Sequence, residues 1–568
     1  METQSRTQFD ENIDVVDQEK PDGIVRMRMR RNKKKSIKQQ FLEGFEKFNR
    51  ISKEVKERER TPVEKIVWLL IFLICFSYCG CLIWKSYWKW MKSPSIVLLT
   101  ENSESILKIP FPAVTVCPER KIRTSVFSFE EYNFNISEYS YENLTEKEQQ
   151  MYEDMLMICD WSHTEIKGRK FSKANETVSN IRKVSPKLSN VIQLCKWNGK
   201  LRSCSNMFTT IFTETGLCYT FNTIGPVDMF RIDKLNSDYE YMPNLTRTRI
   251  KNWTPQNSYL LNAPMDHTYP ERGSGAGAKA GLKLILSEDI KGMDPDCKGM
   301  ISGFKILLHH PTELPRLTQQ YIRIPIYEEV TIAFKPKKIV TSNGLRMFPP
   351  ERRQCYYTGE HNLKYFKLYT QTNCEFECLS NFTYARCDCV HYSMPHGPDM
   401  NICSIGSLNC TESAEFELSM LNINRHLDHG SGNVTAEEAI RIADDCKCLP
   451  TCTSITYETE ISQLELDYQN KYAYRWKGFK MSKSKLSSVV IFFKHALFNI
   501  SKRAELYSTS DILASCGGLL GLFMGFSVIN IVETLYFCIL RAHRQRKNRA
   551  KDQEDSHEEV VQDSMKKY

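Results

Sequence analysis

Two long apolar runs stand out in the pattern of hydrophobic and polar positions along the chain. The first extends from Ile66 to Trp84, nineteen residues without a charge, and aromatic residues such as Trp88 and Trp90 follow it. About 20 apolar residues suffice for a helix to cross a bilayer, and aromatic side chains are enriched where such a helix leaves it. The pattern therefore predicts a transmembrane helix that also serves as an uncleaved signal anchor.

The second run, from Ile512 to Leu540, is long enough to span a membrane but is rich in small and polar residues. On a helical wheel its glycines gather on one side, and its polar residues share an arc of about 120° on another. A carboxylate in the hydrocarbon region costs at least ~2.5 kcal/mol, so it normally faces protein or water. These residues alone leave two interpretations open, a helix that packs through small residues and a helix that lines a pore. The residues concerned are Gly517, Gly521, Gly525, Ser527, Asn530, Glu533 and Thr534.

Positive charge flanks both runs. Eight Lys or Arg lie between Arg26 and Lys38, and six more lie between Arg541 and Lys551. Basic flanks of this kind stay in the cytoplasm and contact anionic membrane lipids. We therefore predict a two-pass plasma-membrane protein with both termini cytoplasmic. The predicted segments are a basic tail at 1–65 with an amphipathic helix before the membrane, a span at 66–84, an ectodomain at 85–511, a second span at 512–540 and a tail at 541–568.

Cysteines and glycosylation sequons place the middle of the chain outside the cell. Sixteen of the 21 cysteines lie between Cys117 and Cys452. Two Cys-x-Cys pairs could hold zinc, but thiolates do not stay reduced in an oxidising compartment, so disulfides are predicted and no metal. Nine Asn-x-Ser/Thr sequons fall in the ectodomain, which is typical of a secreted region. Their asparagines are Asn135, Asn143, Asn175, Asn244, Asn252, Asn381, Asn409, Asn433 and Asn499.

The ectodomain pattern predicts a mixed α/β fold, with strands at 322–326, 330–334 and 489–493 and helices at 146–157 and 435–443. The net charge of +9 is modest and concentrated near the membrane, which favours lipid headgroups over nucleic acid as a partner. Neither a His-Glu-x-x-His motif nor a nucleophile motif occurs, so the sequence does not predict an enzyme.

Several stretches together resemble the degenerin/epithelial sodium channel (DEG/ENaC) family, most closely its insect pickpocket-type branch. The similarity extends from about residue 41 to 540, with the motifs in the family's order and spacing. The matching stretches are Phe111–Cys117, Gly216–Asn222, Gly303–Pro311, Arg353–Cys355, Cys446–Cys452 and Gly517–Ser527 with Glu533.

The resemblance implies a subunit of a trimeric plasma-membrane cation channel, sodium-permeable and amiloride-sensitive, gated through its ectodomain by an extracellular stimulus. It implies two transmembrane helices and a disulfide-rich, hand-like α/β ectodomain with finger, thumb, palm, knuckle and β-ball parts. The expected partners are subunits of the same family, in a homo- or heterotrimer, together with membrane lipids and a possible extracellular ligand. No cofactor is implied beyond transient Na⁺.

Carried over by motif, Gly525, Phe526 and Ser527 match the selectivity filter, where three copies would bring oxygen atoms close to an ion. Gly521 matches the amiloride-blocking position, and Ala514 matches the outer-pore residue at which bulky side chains hold degenerins open. The remaining expected pore and gating residues are Ser515, Asn530, Glu533 and Gly44.

Three positions depart from the family pattern. Glu43 precedes Gly44 where the family has His-Gly, and Ser515 stands where acid-sensing members have an outer-pore aspartate. Arg352 replaces an aromatic residue that, in the acid-sensing members, joins the ectodomain to the pore. Acid gating is therefore not expected to transfer, and the contact made by Arg352 is expected to differ.

The resemblance also implies a disulfide framework, five of whose bridges form a nested ladder along the thumb. Two cysteines are left over, and we expect them to pair with each other. The implied pairs are Cys117–Cys218, Cys195–Cys204, Cys355–Cys452, Cys374–Cys448, Cys378–Cys446, Cys387–Cys410 and Cys389–Cys403, with Cys159–Cys297 as the remaining pair.

Two alternatives from other classes follow from the same residues. A surface receptor or auxiliary subunit that conducts nothing stays open, because Glu43 alters the cytoplasmic gating motif. An ATP-gated purinergic receptor shares the two-span trimer, but its cysteine pattern and lysine-based nucleotide site are not apparent here.

Overall fold

The computed structural model describes residues 62–92, 95–129, 131, 144–159, 168–172, 174–236, 249–255, 258–260, 263–289, 294, 297, 301–426, 441, 445–466, 484–525, 535, 536 and 539. Several predictions fall outside these residues. They are the tail with Gly44 and the amphipathic helix, the pore residues Phe526, Ser527, Asn530 and Glu533, the sequons at Asn135, Asn143, Asn244 and Asn433, the C-terminal tail, and the helix at 435–443 apart from residue 441.

Helices occur at both ends of the described chain and in groups between the strands. They are α1 (Pro62–Lys92), α2 (Glu146–Ile158), α3 (Ala174–Val184), α4 (Leu188–Val191), α5 (Cys204–Met207), α6 (Pro226–Met229), α7 (Pro350–Arg353), α8 (Gln371–Cys387), α9 (Leu408–His426) and α10 (Thr509–Met524). The chain divides into two units, one formed by Met1–Ile83 with Gly517–Tyr568 and the other by Trp84–Cys516.

Strands make up most of the regular structure of the second unit, so its described part is richer in β-structure than the expected α/β mixture. They are β1 (Ser95–Ser105), β2 (Ala113–Pro118), β3 (Phe171–Ser172), β4 (Ile192–Trp197), β5 (Lys200–Arg202), β6 (Phe208–Thr213), β7 (Gly216–Phe221), β8 (Trp253–Thr254), β9 (Ser258–Tyr259), β10 (Leu282–Asp289), β11 (Phe304–His309), β12 (Ile322–Ile324), β13 (Glu328–Thr341), β14 (Cys389–Val390), β15 (Asn401–Cys403), β16 (Thr453–Glu465), β17 (Ser484–Phe493) and β18 (Leu497–Glu505).

The largest sheet is organised around the long strand β13. Its order is β1-β18-β13-β17-β10-β4-β5, and β16 also pairs with β13. β13 runs antiparallel to β16 along almost its whole length and parallel to β17 and β18 at its two ends. A five-stranded sheet follows the order β12-β11-β2-β7-β6.

Aromatic side chains fill the core that these two sheets share. Phe111, two residues before β2, is fully buried, and its ring centroid lies 4.6 Å from that of Trp197 and 5.4 Å from that of Phe334. The ring centroid of Phe493, in β17, lies 5.5 Å from that of Phe111. These contacts are edge-to-face, the arrangement that aromatic quadrupoles favour.

The described cysteines of the ectodomain are joined in the eight pairs expected above. α8 and α9 pack on each other over a second hydrophobic core, and bridges follow one another along them. The pairs are Cys117–Cys218, Cys159–Cys297, Cys195–Cys204, Cys355–Cys452, Cys374–Cys448, Cys378–Cys446, Cys387–Cys410 and Cys389–Cys403.

Candidate pore segment

α10 begins with a reciprocal cap. The Ser508 backbone N–H donates to Asp511 Oδ2 over 2.9 Å, and the Asp511 N–H donates to Ser508 Oγ over 3.2 Å. These bonds satisfy amide groups that a helix start otherwise leaves without partners. The Ser508 amide, and then its side chain, hold the pKa of the Asp511 carboxyl below its ordinary value. Its negative charge also complements the helix dipole.

α10 ends at a glycine. Met524 is its last residue, and Gly525 has a φ of 65° while its N–H donates to the Gly521 carbonyl over 3.0 Å. Left-handed glycine is the commonest way to terminate a helix, because no Cβ opposes that conformation. The start of the expected selectivity filter is therefore a break in the helix, and a helical wheel drawn through Gly525 does not apply beyond it.

One face of α10 packs within the chain. Its half-buried apolar residues fall within an arc of about 100°, and the Phe523 ring meets Tyr78 of α1 edge-to-face at a centroid distance of 5.5 Å. Among the described residues of α10, this face is therefore the one whose large apolar side chains are half-buried. Its residues are Ile512, Cys516, Leu519, Leu520 and Phe523.

Small residues occupy the opposite face of α10. A Cβ added at Gly517, Gly518 or Gly525 would meet no atom within 4 Å. Each glycine inside a helix costs about 1 kcal/mol relative to alanine, and among the described residues no atom near the Cβ positions of Gly517 and Gly518 requires a glycine there. The arc also includes Gly521 and Ala514, which brings three of the expected pore residues together, while Ser515 lies outside it, between the two faces, and is exposed.

The C-terminal end of α1 contacts the turn before Cys355. The Arg352 guanidinium carbon lies 4.8 Å from the centroid of the Trp90 ring and 4.6 Å from that of Phe348. Arg352 Nη2 also donates to the Trp90 carbonyl over 3.0 Å. Lys89 Nζ lies 5.6 Å from the centroid of the Tyr507 ring. The departure from the family pattern at Arg352 thus corresponds to a cation–π and hydrogen-bonded contact.

A cavity of about 750 Å³ lies among the turn after β11, the start of α8 and β16. Glu313 lines it, and burial raises the pKa of its carboxyl to about 7, although the His310 amide and the Thr372 side chain oppose the shift. Burial lowers the pKa of both His309 and His310 to about 4, so these imidazoles are neutral at physiological pH. Glu313 is therefore the lining carboxyl that titrates near neutrality.

Five expected glycan acceptors lie among the described residues. Asn252, Asn409 and Asn499 are exposed, and Asn381 is half-buried on α8. Asn175 lies in α3. The three exposed side chains are open to a glycan, and their occupancy stays a prediction.

The sequence of this chain matches a known family over most of its length. A family model described as "Amiloride-sensitive sodium channel" matches residues 43–537. The chain belongs to the amiloride-sensitive sodium channel family. The family consists of plasma-membrane ion channels that assemble from subunits of the same family, and its members are not enzymes. The resemblance inferred from the motifs is thereby confirmed.

Individual relatives are similar at low identity over long alignments. Pickpocket protein 28 of Drosophila melanogaster is 25% identical over 520 residues, which cover 88% of this chain and 79% of the relative. Sodium channel protein Nach of Drosophila melanogaster is 20% identical, covering 85% of this chain and 84% of the relative. Acid-sensing ion channel 2 of Homo sapiens is 22% identical, covering 62% of this chain and 57% of the relative.

Sequence reasoning missed two of these contacts for different reasons. The cap of α10 had a sequence signal, since Ser508 stands three residues before Asp511 at the start of an apolar run. The contact between Arg352 and Trp90 had none, because it joins residues 262 positions apart and uses a backbone carbonyl as the acceptor.

Proposed function

We propose that this chain is a pore-forming subunit of a trimeric, sodium-permeable and amiloride-sensitive cation channel in the plasma membrane. Both termini are cytoplasmic, and an extracellular stimulus opens the channel through the ectodomain. The observation that carries the proposal is the small-residue face of α10, which lies opposite its packed face and ends at the left-handed Gly525.

The arrangement suits an ion pathway for a physical reason. Glycines let helices from three subunits approach closely, and a helix that breaks at Gly525 frees backbone carbonyls that can replace part of the hydration shell of an ion. Among the described residues of one chain, a Cβ at Gly517 or Gly518 would meet no atom within 4 Å, so there is room at these positions for a neighbouring subunit. Assembly around a pore would explain why they are there.

Other parts of the chain are consistent with a two-pass channel subunit in the plasma membrane. α1 includes an apolar helix at Ile66–Met91 that is long enough to cross a membrane. The eight disulfides of the region between the two helices require an oxidising compartment. Basic residues follow the second apolar run directly, as expected for a return to the cytoplasm.

The test is to express the chain with Ala514→Val, alone and with sister subunits, and to record whole-cell current with and without amiloride. A bulky side chain on the small-residue face should hold the pore open and give a sodium current that amiloride blocks. Leu519→Val, on the packed face, is the matched control and should give no constitutive current. Surface expression without amiloride-sensitive current in any combination would contradict the proposal.

A receptor or auxiliary subunit that does not conduct is the second candidate, favoured by Glu43 in place of the family histidine. Gly525→Arg distinguishes the two functions. A long cationic side chain at the filter should abolish or alter the current of a pore-forming subunit. If signalling or the current of the assembled channel is unchanged by Gly525→Arg, the chain does not line the pore.

A further inference from the structure

The last turn of α1 has an unusual hydrogen-bond donor. A helix leaves its final four carbonyl groups without intrahelical donors. α1 ends at Lys92, and the carbonyl of Trp90, inside that last turn, accepts a hydrogen bond of 3.0 Å from Arg352 Nη2. A guanidinium from a distant segment thus caps this helix.

Arg352 makes two further contacts that strengthen the cap. Its guanidinium lies against both the Trp90 ring and the Phe348 ring, which are edge-to-face with centroids 5.9 Å apart. A cation is stabilised both by aromatic faces and by the negative end of a helix dipole. The same charge therefore satisfies the carbonyl, the dipole and two rings, which a lysine could do only in part.

The segment that presents Arg352 is itself held firmly. The neighbouring Arg353 is 1% exposed and donates to the Phe348 carbonyl over 2.7 Å and to the Cys355 carbonyl over 2.9 Å. Arg503 of β18 donates to the Gln354 carbonyl over 2.8 Å, and Cys355 is bonded to Cys452. A displacement of this segment would therefore be transmitted to Arg352 and not absorbed locally.

We propose that Arg352 is a positioning residue that caps the C-terminal end of α1 and ties the first helix to the segment 348–355. Movement of that segment would then pull on the helix or release its last turn. The gating consequence rests on the proposed channel function, whereas the cap itself does not.

The cap is tested first by hydrogen exchange of the purified full chain, monitored by mass spectrometry at the amides of residues 88–92. Arg352→Gln should speed exchange there by about fivefold or more, and Arg352→Lys by less, since lysine still donates to a carbonyl. Arg346→Gln is the matched control, because Arg346 lies over the Tyr357 ring and has no part in the α1 contact. Unchanged exchange in a correctly disulfide-bonded Arg352→Gln protein would overturn the proposal.

The positioning role is tested in single channels carrying Ala514→Val. Arg352→Gln should change the open probability by about threefold or more with the unitary conductance unchanged, and Arg352→Lys should restore part of it. Faster exchange with an unchanged open probability would make Arg352 a stabilising contact and overturn the positioning role. A silent Ala514→Val parent counts against the proposed function instead, and the exchange experiment still decides on the cap.

Discussion

At the scale of single residues, a glycine inside α10 and the glycine that follows its last residue differ in what they tolerate. Gly525 has a left-handed backbone, whereas Gly518 lies inside α10 and a Cβ there meets nothing within 4 Å. Gly525→Ala should therefore destabilise the chain by about 1–2 kcal/mol, because a Cβ opposes positive φ. Gly518→Ala is the matched control and should raise stability by up to about 1 kcal/mol. Thermal unfolding in detergent compares them, and equal effects of the same sign would contradict the assignment of Gly525 as the helix break.

The carboxyl of Glu313 predicts a pH dependence of stability. Its pKa in the folded chain, about 7, lies above the ordinary value of 4.5, so the folded chain binds the extra proton between these values. Stability should therefore fall as pH rises through this window and level off above it. Glu313→Gln should remove the contribution of Glu313 to the slope of stability against pH. Glu351→Gln, on the exposed surface of α7, should leave that slope unchanged.

Melting temperatures between roughly pH 4.5 and pH 8 measure this slope for wild type and both variants. His309 and His310 have lowered pKa values and contribute a slope of the opposite sign, which is the same in all three proteins and cancels in the comparison. A slope that is identical in wild type and Glu313→Gln would show that the carboxyl is not buried as described.

At the scale of elements, the two large sheets depend on the ring of Phe111. It contacts rings from β4, β13 and β17 of the largest sheet and the Phe221 ring from β7 of the five-stranded sheet, and it is fully buried. Phe111→Ala should lower the free energy of unfolding by about 3–5 kcal/mol, since it leaves a cavity that the sheets cannot close. Phe416→Ala removes the same ring from a side chain that is 67% exposed on α9, and it should cost much less. Denaturant unfolding of the two variants provides the comparison.

The elements also show how far the sequence alone reaches. The helix predicted at 146–157 is found at Glu146–Ile158, and the strands predicted at 330–334 and 489–493 lie within β13 and β17. Alternating and amphipathic patterns report local burial, which explains these successes. The pairing of β13 with three partners, two of them parallel and one antiparallel, depends on contacts more than a hundred residues away and left no local pattern.

The candidate site likewise combines one feature that the sequence predicts with one that it does not. The motif places Gly525 at the start of the expected filter, and its φ of 65° marks the end of the helix there, while its part in a filter stays a prediction. The cap on Trp90 could not be found, since the acceptor is a main-chain carbonyl that every residue carries. Arg352 attracted notice only as a departure from the family pattern.

At the scale of the whole molecule, an edge strand points to the assembly surface. Among the described strands β1 pairs with β18 alone, and it exposes Val97, Leu98 and Leu99 on both faces, the last by 78%. Such an edge is a liability unless another chain covers it, and the family assembles from its own subunits. Leu99→Asp should therefore reduce the fraction of the proposed trimer in detergent, measured by native mass or cross-linking.

Leu201→Asp is the control for this experiment. Leu201 is 64% exposed on β5, the strand at the other end of the same sheet. It should leave the trimer intact if β1 is the covered edge. Equal loss of trimer in both variants would indicate general damage to the sheet, and no loss in either would remove β1 from the interface.

The most direct test of the central claim asks whether the small-residue face of α10 lines the ion pathway. In a Cys516→Ser background, Ala514→Cys and Leu519→Cys channels are exposed to a charged methanethiosulfonate reagent while current is recorded. Reaction at residue 514 should change the sodium current irreversibly, and residue 519, on the packed face, should give no change. If the reagent labels the Ala514→Cys chain at the cell surface and the current through it stays the same, this face of α10 does not line the pore.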